Sequence, residues 1–393
     1  MVLLHLIAWC IIFKEVSSRD PLVGLKSTEI IEKAGYKAEE HVVTTEDGYI
    51  LTHHRIPSRK NLSVVNKHPI LLIPGTSATS ECFLLIGNIS LGFVLVDQGY
   101  DVWLLNLRGS FYGMNHTSLD PEEDKSFWDF SFHEYGFYDV AATIDYILNV
   151  TQVDKITTLG HSQGSTITFV TLASRPEYNK KIKLNVSFAP SCYLGGVKVI
   201  LLQILAKHWQ FLEHLVREVL NIQYVPTARG MLNGLDELCA YSKGFREICY
   251  GFVVTIDYGA DVDKMFDENV IPALLSNMPG GVSTKNLFHY LQMYNTGNFS
   301  NYDYGPDENL KRYKSIYPEA YNVSQISTPC FLFYNPHDLI LPQEGLKRLT
   351  DTLQQPTLYE IKDPNFRHLA FILSKYVVSI YPKFFEVLAM YNK

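Results

Sequence analysis

Short apolar runs, each followed by Pro, Gly, Asn or Asp, recur along most of the chain. Runs of about five apolar residues bounded by turn residues are typical of strands buried in a parallel sheet. We predict such strands at 69–73, 101–105, 155–159, 186–189, 331–334 and 357–361. Between two of them, apolar residues at 137, 140, 141, 144 and 148 have the spacing of a helix that lies on a sheet. This alternation predicts an α/β fold with a central, mostly parallel sheet.

The alternation stops between positions 190 and 306. This stretch contains no clear parallel strand, and its segment VKVILLQILAKHWQFLEHLVREVL has an apolar, helical character. We therefore predict a mainly helical cap, inserted between two strands, over the carboxyl edge of the sheet. The predicted organisation is a signal peptide at 1–18, a first part of the core at 19–189, the cap at 190–306 and a second part of the core at 307–393.

The N-terminal sequence MVLLHLIAWCIIFKEVSSRD has the pattern of a secretory signal. Its apolar stretch is too short to span a bilayer, and we place cleavage near Ser18. A buried N-terminal helix is the alternative. No later segment has an unbroken transmembrane run.

Asn-x-Ser/Thr sequons support export, because seven of them are more than expected in a cytosolic chain of this length. The predicted glycosylation sites are Asn61, Asn88, Asn115, Asn149, Asn185, Asn298 and Asn322. We expect a secreted protein, extracellular and possibly in a digestive lumen, with the lysosome as the alternative.

Composition adds little to this. The chain has 393 residues, is 47% hydrophobic and carries a net charge of −7, which is ordinary for a globular protein and argues weakly against nucleic acid as a partner. No CxxC or HExxH spacing occurs, so we predict no metal site, and nothing indicates a cofactor. The oligomeric state cannot be read from the sequence.

Of the six cysteines, Cys10 is removed with the signal. Cys239 and Cys249 flank a short helical segment, and in an oxidising compartment they are the predicted disulfide. We expect Cys82, Cys192 and Cys330 to be small buried hydrophobic residues rather than nucleophiles.

The sequence GHSQG at 160–164 lies between a predicted strand and a predicted helix. Gly-x-Ser-x-Gly in this context is the nucleophile elbow, a tight turn that pushes the hydroxyl of Ser162 clear of the sheet. Any side chain larger than hydrogen at position 160 or 164 would collide with the backbone at such a turn, so both positions are glycine, Gly160 and Gly164. The backbone N–H of Gln163 is the predicted first donor to the oxyanion of an ester or amide reaction.

A serine nucleophile needs a base, and the base needs an orienting carboxylate. Asp338 directly follows the predicted strand CFLFY, and His368 follows the predicted strand TLYEI, in the chain order that the elbow requires. The rivals are Asp351, which is expected in a helix, Asp363, which shares a loop with His368, and His337, which we expect to point elsewhere. The backbone N–H of Thr76, in the loop after ILLIPG, is the candidate second oxyanion donor.

Taken together, these pieces resemble the acid lipase family of the α/β-hydrolase class, which includes gastric, lysosomal and insect digestive lipases. The likeness runs across nearly the whole mature chain and includes EDGYILTHHRIP, SLGFVLVDQGYDVWLLNLRG, FWDFSFHEYGFYDVAATIDYI, GHSQG and NLFHYLQMYNTGNFSNYDYG. The resemblance implies a catalytic triad of Ser162, Asp338 and His368, oxyanion donors at Gln163 and Thr76, and the Cys239–Cys249 disulfide. It also implies hydrolysis of water-insoluble lipid esters at a lipid–water interface.

One position departs from the family pattern, which has His-Gly after the early strand where this chain has Pro74-Gly75. The change removes a supporting side chain but no catalytic group, so we expect activity with an altered preference or rate. Two other functions stay open: a catalytically silent lipid-binding protein on the same scaffold, and a serine hydrolase with a non-lipid substrate, such as a peptidase.

Overall fold

A central sheet organises the molecule. The computed structural model describes residues 21–58, 68–231, 265 and 270–391. The strands of the central sheet are Glu39–Thr44 (β1), Tyr49–Ile56 (β2), Pro69–Ile73 (β3), Asp101–Leu104 (β4), Asn115–His116 (β5), Ile156–His161 (β6), Ile182–Phe188 (β7), Cys330–Tyr334 (β10) and Pro356–Glu360 (β11). A separate antiparallel pair consists of Tyr224–Thr227 (β8) and Gly280–Ser283 (β9).

The strand order is β1-β2-β4-β3-β6-β7-β10-β11, with β5 paired to β2. From β4 to β11 every pairing in this path is parallel, whereas β2 is antiparallel to β1, β4 and β5. The six predicted parallel strands are therefore confirmed, with ends shifted by up to four residues. The antiparallel hairpin β1–β2 and the short β5 were not predicted.

Helices pack on both faces of this sheet. Their bounds are Ser27–Lys33 (α1), Leu91–Asp97 (α2), Phe132–Glu134 (α3), Ala141–Thr151 (α4), Gln163–Ser174 (α5), Ile200–Lys207 (α6), Trp209–Glu213 (α7), Ala228–Met231 (α8), Val270–Asn277 (α9), Thr284–Thr296 (α10), Pro306–Tyr313 (α11), Gln343–Thr352 (α12), Ala370–Leu373 (α13) and Tyr381–Met390 (α14). Two π-helical turns, Tyr135–Val140 and His214–Val219, directly precede α4 and follow α7.

The core has two layers because alternate residues of each strand point to opposite faces. In β3, Ile70 and Leu72 join an apolar cluster with residues of α1, α2, α13 and α14. Leu71 and Ile73 join a second cluster with residues of α4, α5 and α12. The central strands β3, β4 and β6 are thus buried on both sides, as their continuous apolar runs predict, whereas the edge strand β11 is mostly exposed. The α/β fold is confirmed.

The chain between β7 and β10 supplies helices α6 to α11 and the strands β8 and β9. Its described elements are mostly helical, and the two strands pair antiparallel. The boundaries of the predicted cap stay a prediction, as does the signal peptide, which lies outside the described residues. No helix in the described ranges is long and apolar enough to cross a membrane.

Predictions on cysteine and asparagine residues have mixed outcomes. Cys82, Cys192 and Cys330 are buried free thiols, as predicted. Cys239, Cys249 and Asn61 lie outside the described residues.

At the remaining sequons the asparagine is exposed, except for Asn185. The prediction of a glycan on Asn185 is wrong for this fold. Its side chain is fully buried in β7, where the amide oxygen accepts a 3.0 Å hydrogen bond from Thr158.

Candidate active site

The candidate site begins at the turn that joins β6 to α5. Every residue of β6 is buried, and α5 begins at Gln163 immediately after the turn. Ser162, between them, has φ 53° and ψ −118°. A positive φ is strained for a residue with a side chain and persists only where the surroundings impose it. The turn leaves Ser162 partly exposed while its neighbours His161 and Gln163 are buried.

Close backbone contacts explain the two glycines of the motif. A Cβ added at Gly160 would lie 2.3 Å from the carbonyl carbon of Gly164. A Cβ added at Gly164 would lie 2.1 Å from the carbonyl oxygen of Ile73 at the end of β3. Both distances are far below van der Waals contact, so only glycine fits at either position.

Three side chains meet beyond the carboxyl ends of β6, β10 and β11. The Oγ of Ser162 lies 2.8 Å from Nε2 of His368, and Nδ1 of His368 lies 2.7 Å from Oδ2 of Asp338. An ionised carboxylate only accepts hydrogen bonds, so Nδ1 carries a proton and its N–H donates a hydrogen bond to Asp338. Nε2 then presents its lone pair to the hydroxyl proton of Ser162. The structure thus brings together the three residues that the sequence predicts.

The backbone around Asp338 fixes the direction of its carboxylate. The N–H of Ile340 donates to Oδ1 at 2.9 Å, and the N–H of Asp338 itself donates to the carbonyl of Asn335 at 3.1 Å. Oδ2 is left for His368. Asp338 is 2% exposed and His368 is 4% exposed, so their charge-assisted bond is screened little by water.

The rival residues lie elsewhere. Asp351 is in α12 and forms an exposed ion pair with Lys347. The side chain of Asp363 accepts from the backbone of Asn365, on the surface. His337 is exposed, as expected for a residue that points away from the site.

His161, inside the motif, supports the loop that carries the imidazole. Its Nε2–H donates to the carbonyl oxygen of His368 at 2.8 Å. Burial, together with a smaller effect of the neighbouring His368, lowers the pKa of His161 to about 3. The ring is therefore a neutral hydrogen-bond donor at ordinary pH. His161 was not among the residues predicted from the sequence, although it stands in the variable position of the motif.

The loop after β3 passes directly against Ser162. A Cβ at Gly75 would lie 3.4 Å from Cβ of Ser162, so Thr76 follows immediately beside the nucleophile. Gln163 is the first residue of α5, and the first four N–H groups of a helix have no partner within it. Thr76 and Gln163, whose backbone N–H groups are the predicted oxyanion donors, therefore both lie beside Ser162.

The side chains of Thr76 and Gln163 also meet, and a third residue joins them. Thr76 Oγ1 donates to Gln163 Oε1 at 3.3 Å, and Asn286 Nδ2 donates to the same oxygen at 2.7 Å. Asn286 lies in α10, 123 residues further along the chain. No local pattern in the sequence identifies it, because the contact exists only in the folded protein.

The fold and this geometry define an α/β-hydrolase in which a serine is hydrogen-bonded to a histidine and the histidine to an aspartate. Comparison with family models agrees. Residues 27–87 match a partial alpha/beta-hydrolase lipase region, and residues 68–195 match the alpha/beta hydrolase fold.

Curated relatives cover most of the chain. Lipase 1 of Drosophila melanogaster is 36% identical over 88% of this chain and 76% of its own length. The gastric triacylglycerol lipase of Bos taurus is 31% identical over 93% and 90%, and lipase member K of Homo sapiens is 30% identical over 92% and 90%. The chain belongs to this α/β-hydrolase family of lipases, and it is a carboxylic ester hydrolase of the lipase type.

Solved structures support the fold alone. A membrane phospholipase A described as a bacterial virulence factor matches with a TM-score of 0.50 and 14% identity, over 99% of this chain and 97% of that one. DcsB in complex with a substrate analogue matches with a TM-score of 0.50 and 17% identity, over 91% and 100%.

Proposed function

We propose that this protein is a lipase that cleaves acylglycerols or steryl esters with Ser162 as the nucleophile. The observation that carries the proposal is the hydrogen-bonded sequence Ser162–His368–Asp338 on the strained turn after β6. Each member is held by the surrounding backbone or by burial, which is the preorganisation that nucleophilic catalysis requires.

The reaction follows from the donors and acceptors present. Ser162 Oγ attacks the ester carbonyl carbon while Nε2 of His368 takes the hydroxyl proton, and the carbonyl oxygen becomes an oxyanion that accepts from the Thr76 and Gln163 amides. The imidazolium then gives its proton to the departing alcohol as the C–O bond breaks, leaving an acyl-serine. A water, deprotonated by His368, attacks the acyl group, and the carboxylic acid leaves as the serine regains its proton. Asp338 stays ionised and stabilises the imidazolium throughout.

Exposed apolar side chains of α6 and α7 support a lipid substrate. Ile200 is 71% exposed and Ile204 is also exposed, and their i, i+4 spacing places them on the same side of α6. Phe211, in the next helix α7, is 66% exposed. Exposed apolar patches of this kind mark surfaces that meet lipid or another apolar partner. The surface lies in the predicted cap, which we propose meets the lipid–water interface.

Export is part of the proposal. Five of the predicted glycosylation sites, Asn88, Asn115, Asn149, Asn298 and Asn322, have exposed side chains. This supports a secreted protein or, as the alternative, a lysosomal one. A disulfide between Cys239 and Cys249, which lie outside the described residues, is also part of the proposal.

The test is hydrolysis of emulsified triacylglycerol, emulsified steryl ester and a soluble p-nitrophenyl ester from pH 4 to pH 8, with Ser162→Ala as the matched control. The wild type should release acid from at least one emulsion, and Ser162→Ala should lose about 10⁴-fold or more of the rate. Lipid binding without hydrolysis would favour the silent scaffold, and cleavage of a peptide but of no ester would favour a peptidase.

The lipid surface has its own test. Phe211→Asp should lower the rate on an emulsion while leaving the rate on the soluble ester within two- to three-fold, as expected for a residue that takes no part in the chemistry but lies at an apolar contact surface. Val42→Asp, at an equally apolar and exposed position on β1, is the control and should change neither rate. Equal losses on both substrates for Phe211→Asp would contradict the assignment.

A further inference from the structure

A buried hydrogen bond links helix α10 to the residue that follows the nucleophile. Asn286 Nδ2 donates to Gln163 Oε1 at 2.7 Å, and both side chains are almost completely buried. Bonds between two side chains are a minority of the hydrogen bonds in proteins, and a buried one fixes both partners. The hydrogen bond between Asn286 and Gln163 connects the chain segment between β7 and β10 to the start of α5.

The accepting oxygen makes a second bond that extends the link to the loop after β3. Thr76 Oγ1 donates to Gln163 Oε1 at 3.3 Å. A carbonyl oxygen has two lone pairs, so these two donors saturate it. Gln163 and Thr76 are the two residues whose backbone amides receive the oxyanion in the proposed reaction. Their side chains therefore tie together the two backbone segments that must be aligned.

Asn286 is itself rigidly held. Ser283, the N-cap of α10, accepts a 3.1 Å hydrogen bond from the backbone N–H of Asn286 and donates to the carbonyl of Phe130. This cap fixes the first turn of α10 on the aromatic region around Phe130. A side chain presented from such a support keeps its direction when the reaction proceeds.

We propose that Asn286 is a positioning residue for ester hydrolysis, acting through Gln163 to hold the Thr76 and Gln163 amides in line for the oxyanion. The inference rests on the proposed function. Misplacement of catalytic groups by about 1 Å costs up to about 10²-fold, and loss of one oxyanion donor costs about 10²- to 10³-fold. Loss of the Asn286 bond should therefore lower kcat by about 10- to 100-fold and leave KM within about three-fold.

The first test is a double-mutant cycle on a soluble p-nitrophenyl ester. Asn286→Ala and Gln163→Ala should each lower kcat, and the double variant should be no slower than the slower single variant, because both remove the same link. Independent, multiplied losses would overturn the proposal, as would an Asn286→Ala variant that changes KM but not kcat.

A second test uses a nearly isosteric change whose effect depends on pH. The carboxyl group introduced by Asn286→Asp can donate to Gln163 Oε1 when it is protonated and repels that oxygen when it is ionised. The kcat ratio of this variant to wild type should be near one at low pH and fall as pH rises. The ratio is used because the pH dependence that both enzymes share cancels in it.

The neighbouring titratable groups on α10 keep their protonation state over the pH range of this assay. Burial holds the pKa of His289 well below its usual value. Burial also pulls the pKa of Lys285 down, but the adjacent Glu134 and Asp129 raise it overall. If the kcat ratio of Asn286→Asp to wild type is below one at every pH, does not change with pH, and is accompanied by a lowered unfolding midpoint, then Asn286 has only a structural role. That result would overturn the proposal.

Asn309→Asp is the matched control, since Asn309 is equally buried but bonds to Tyr304 and Asp303 rather than to the elbow. It should destabilise the protein without a pH-dependent loss of kcat. Failure of the wild type to hydrolyse any ester would overturn the proposed function and this inference together. An active wild type with unchanged kcat in Asn286→Ala would overturn this inference alone.

Discussion

Replacing Asp338 by asparagine tests the orientation of the imidazole without changing the shape of the side chain. The backbone N–H of Ile340 donates to Oδ1 at 2.9 Å, so the new side chain must keep its oxygen there. Its NH₂ group then faces Nδ1 of His368, which Oδ2 contacts at 2.7 Å in the wild type. Two donors cannot share that contact, so the imidazole moves its proton to Nε2. In this tautomer Nε2 no longer accepts the hydroxyl proton of Ser162.

The size of the loss in kcat distinguishes a change of imidazole tautomer from the simple loss of the hydrogen bond between His368 and Asp338. A hydrogen bond to a charged group contributes about 1.5–3 kcal/mol, which corresponds to roughly 10- to 150-fold in rate. A triad locked in the wrong tautomer loses about 10⁴-fold, or about 5 kcal/mol. We expect the larger loss in kcat for Asp338→Asn, with little change in the unfolding midpoint.

The assay is kcat on a soluble p-nitrophenyl ester at pH 7. Asp363→Asn is the matched control, because Asp363 shares the loop of His368 but has an exposed side chain, and it should keep its rate within about two-fold. If Asp338→Asn keeps more than a tenth of the wild-type kcat, or if Asp363→Asn loses as much, then the assignment of the carboxylate is wrong.

Three further predictions concern the fold. Gly160→Ala should lower the free energy of unfolding in urea by roughly 3 kcal/mol or more, because its Cβ would lie 2.3 Å from the carbonyl carbon of Gly164, and an unchanged midpoint would contradict the steric argument. Burial lowers the pKa of His53 and of His161 to about 3 each, so between about pH 3 and pH 6.5 the folded state binds fewer protons than the unfolded chain. The free energy of unfolding should therefore fall as pH drops through this window, by at most about 1.4 kcal/mol per pH unit for each imidazole, and a flat urea profile would refute this. Glycopeptide mass spectrometry of the protein from secretory cells should find Asn185 unmodified, and a glycan there on folded, active protein would contradict its burial.

Features that depend on neighbouring residues could be predicted from the sequence. The elbow is such a feature, because Gly160, Ser162 and Gly164 act on one another within a single turn. The positions of Asp338 and His368 followed from the order of strands, since the carboxyl ends of parallel strands lie along the same edge.

Features that depend on packing could not be predicted in the same way. The sequon at Asn185 is a three-residue pattern, but β7 lies between β6 and β10 and buries this side chain. The bonds from His161 to the loop of His368 and from Asn286 to Gln163 join residues more than a hundred positions apart. The antiparallel β1 has an alternating pattern of burial, with its outer face open to water, which is a weaker apolar signal than that of the buried strands.

Covalent trapping tests the central claim most directly. The protein, with Ser162→Ala beside it, is incubated with a p-nitrophenyl alkylphosphonate. An activated serine attacks its phosphorus, p-nitrophenolate leaves as the P–O(aryl) bond breaks, and a stable P–O bond to the serine remains. Our account predicts one adduct per wild-type molecule, located by peptide mass spectrometry on the GHSQG peptide at Ser162, with matching loss of esterase activity and no adduct on the variant. An adduct on another residue, or an active enzyme that stays unlabelled, would contradict it.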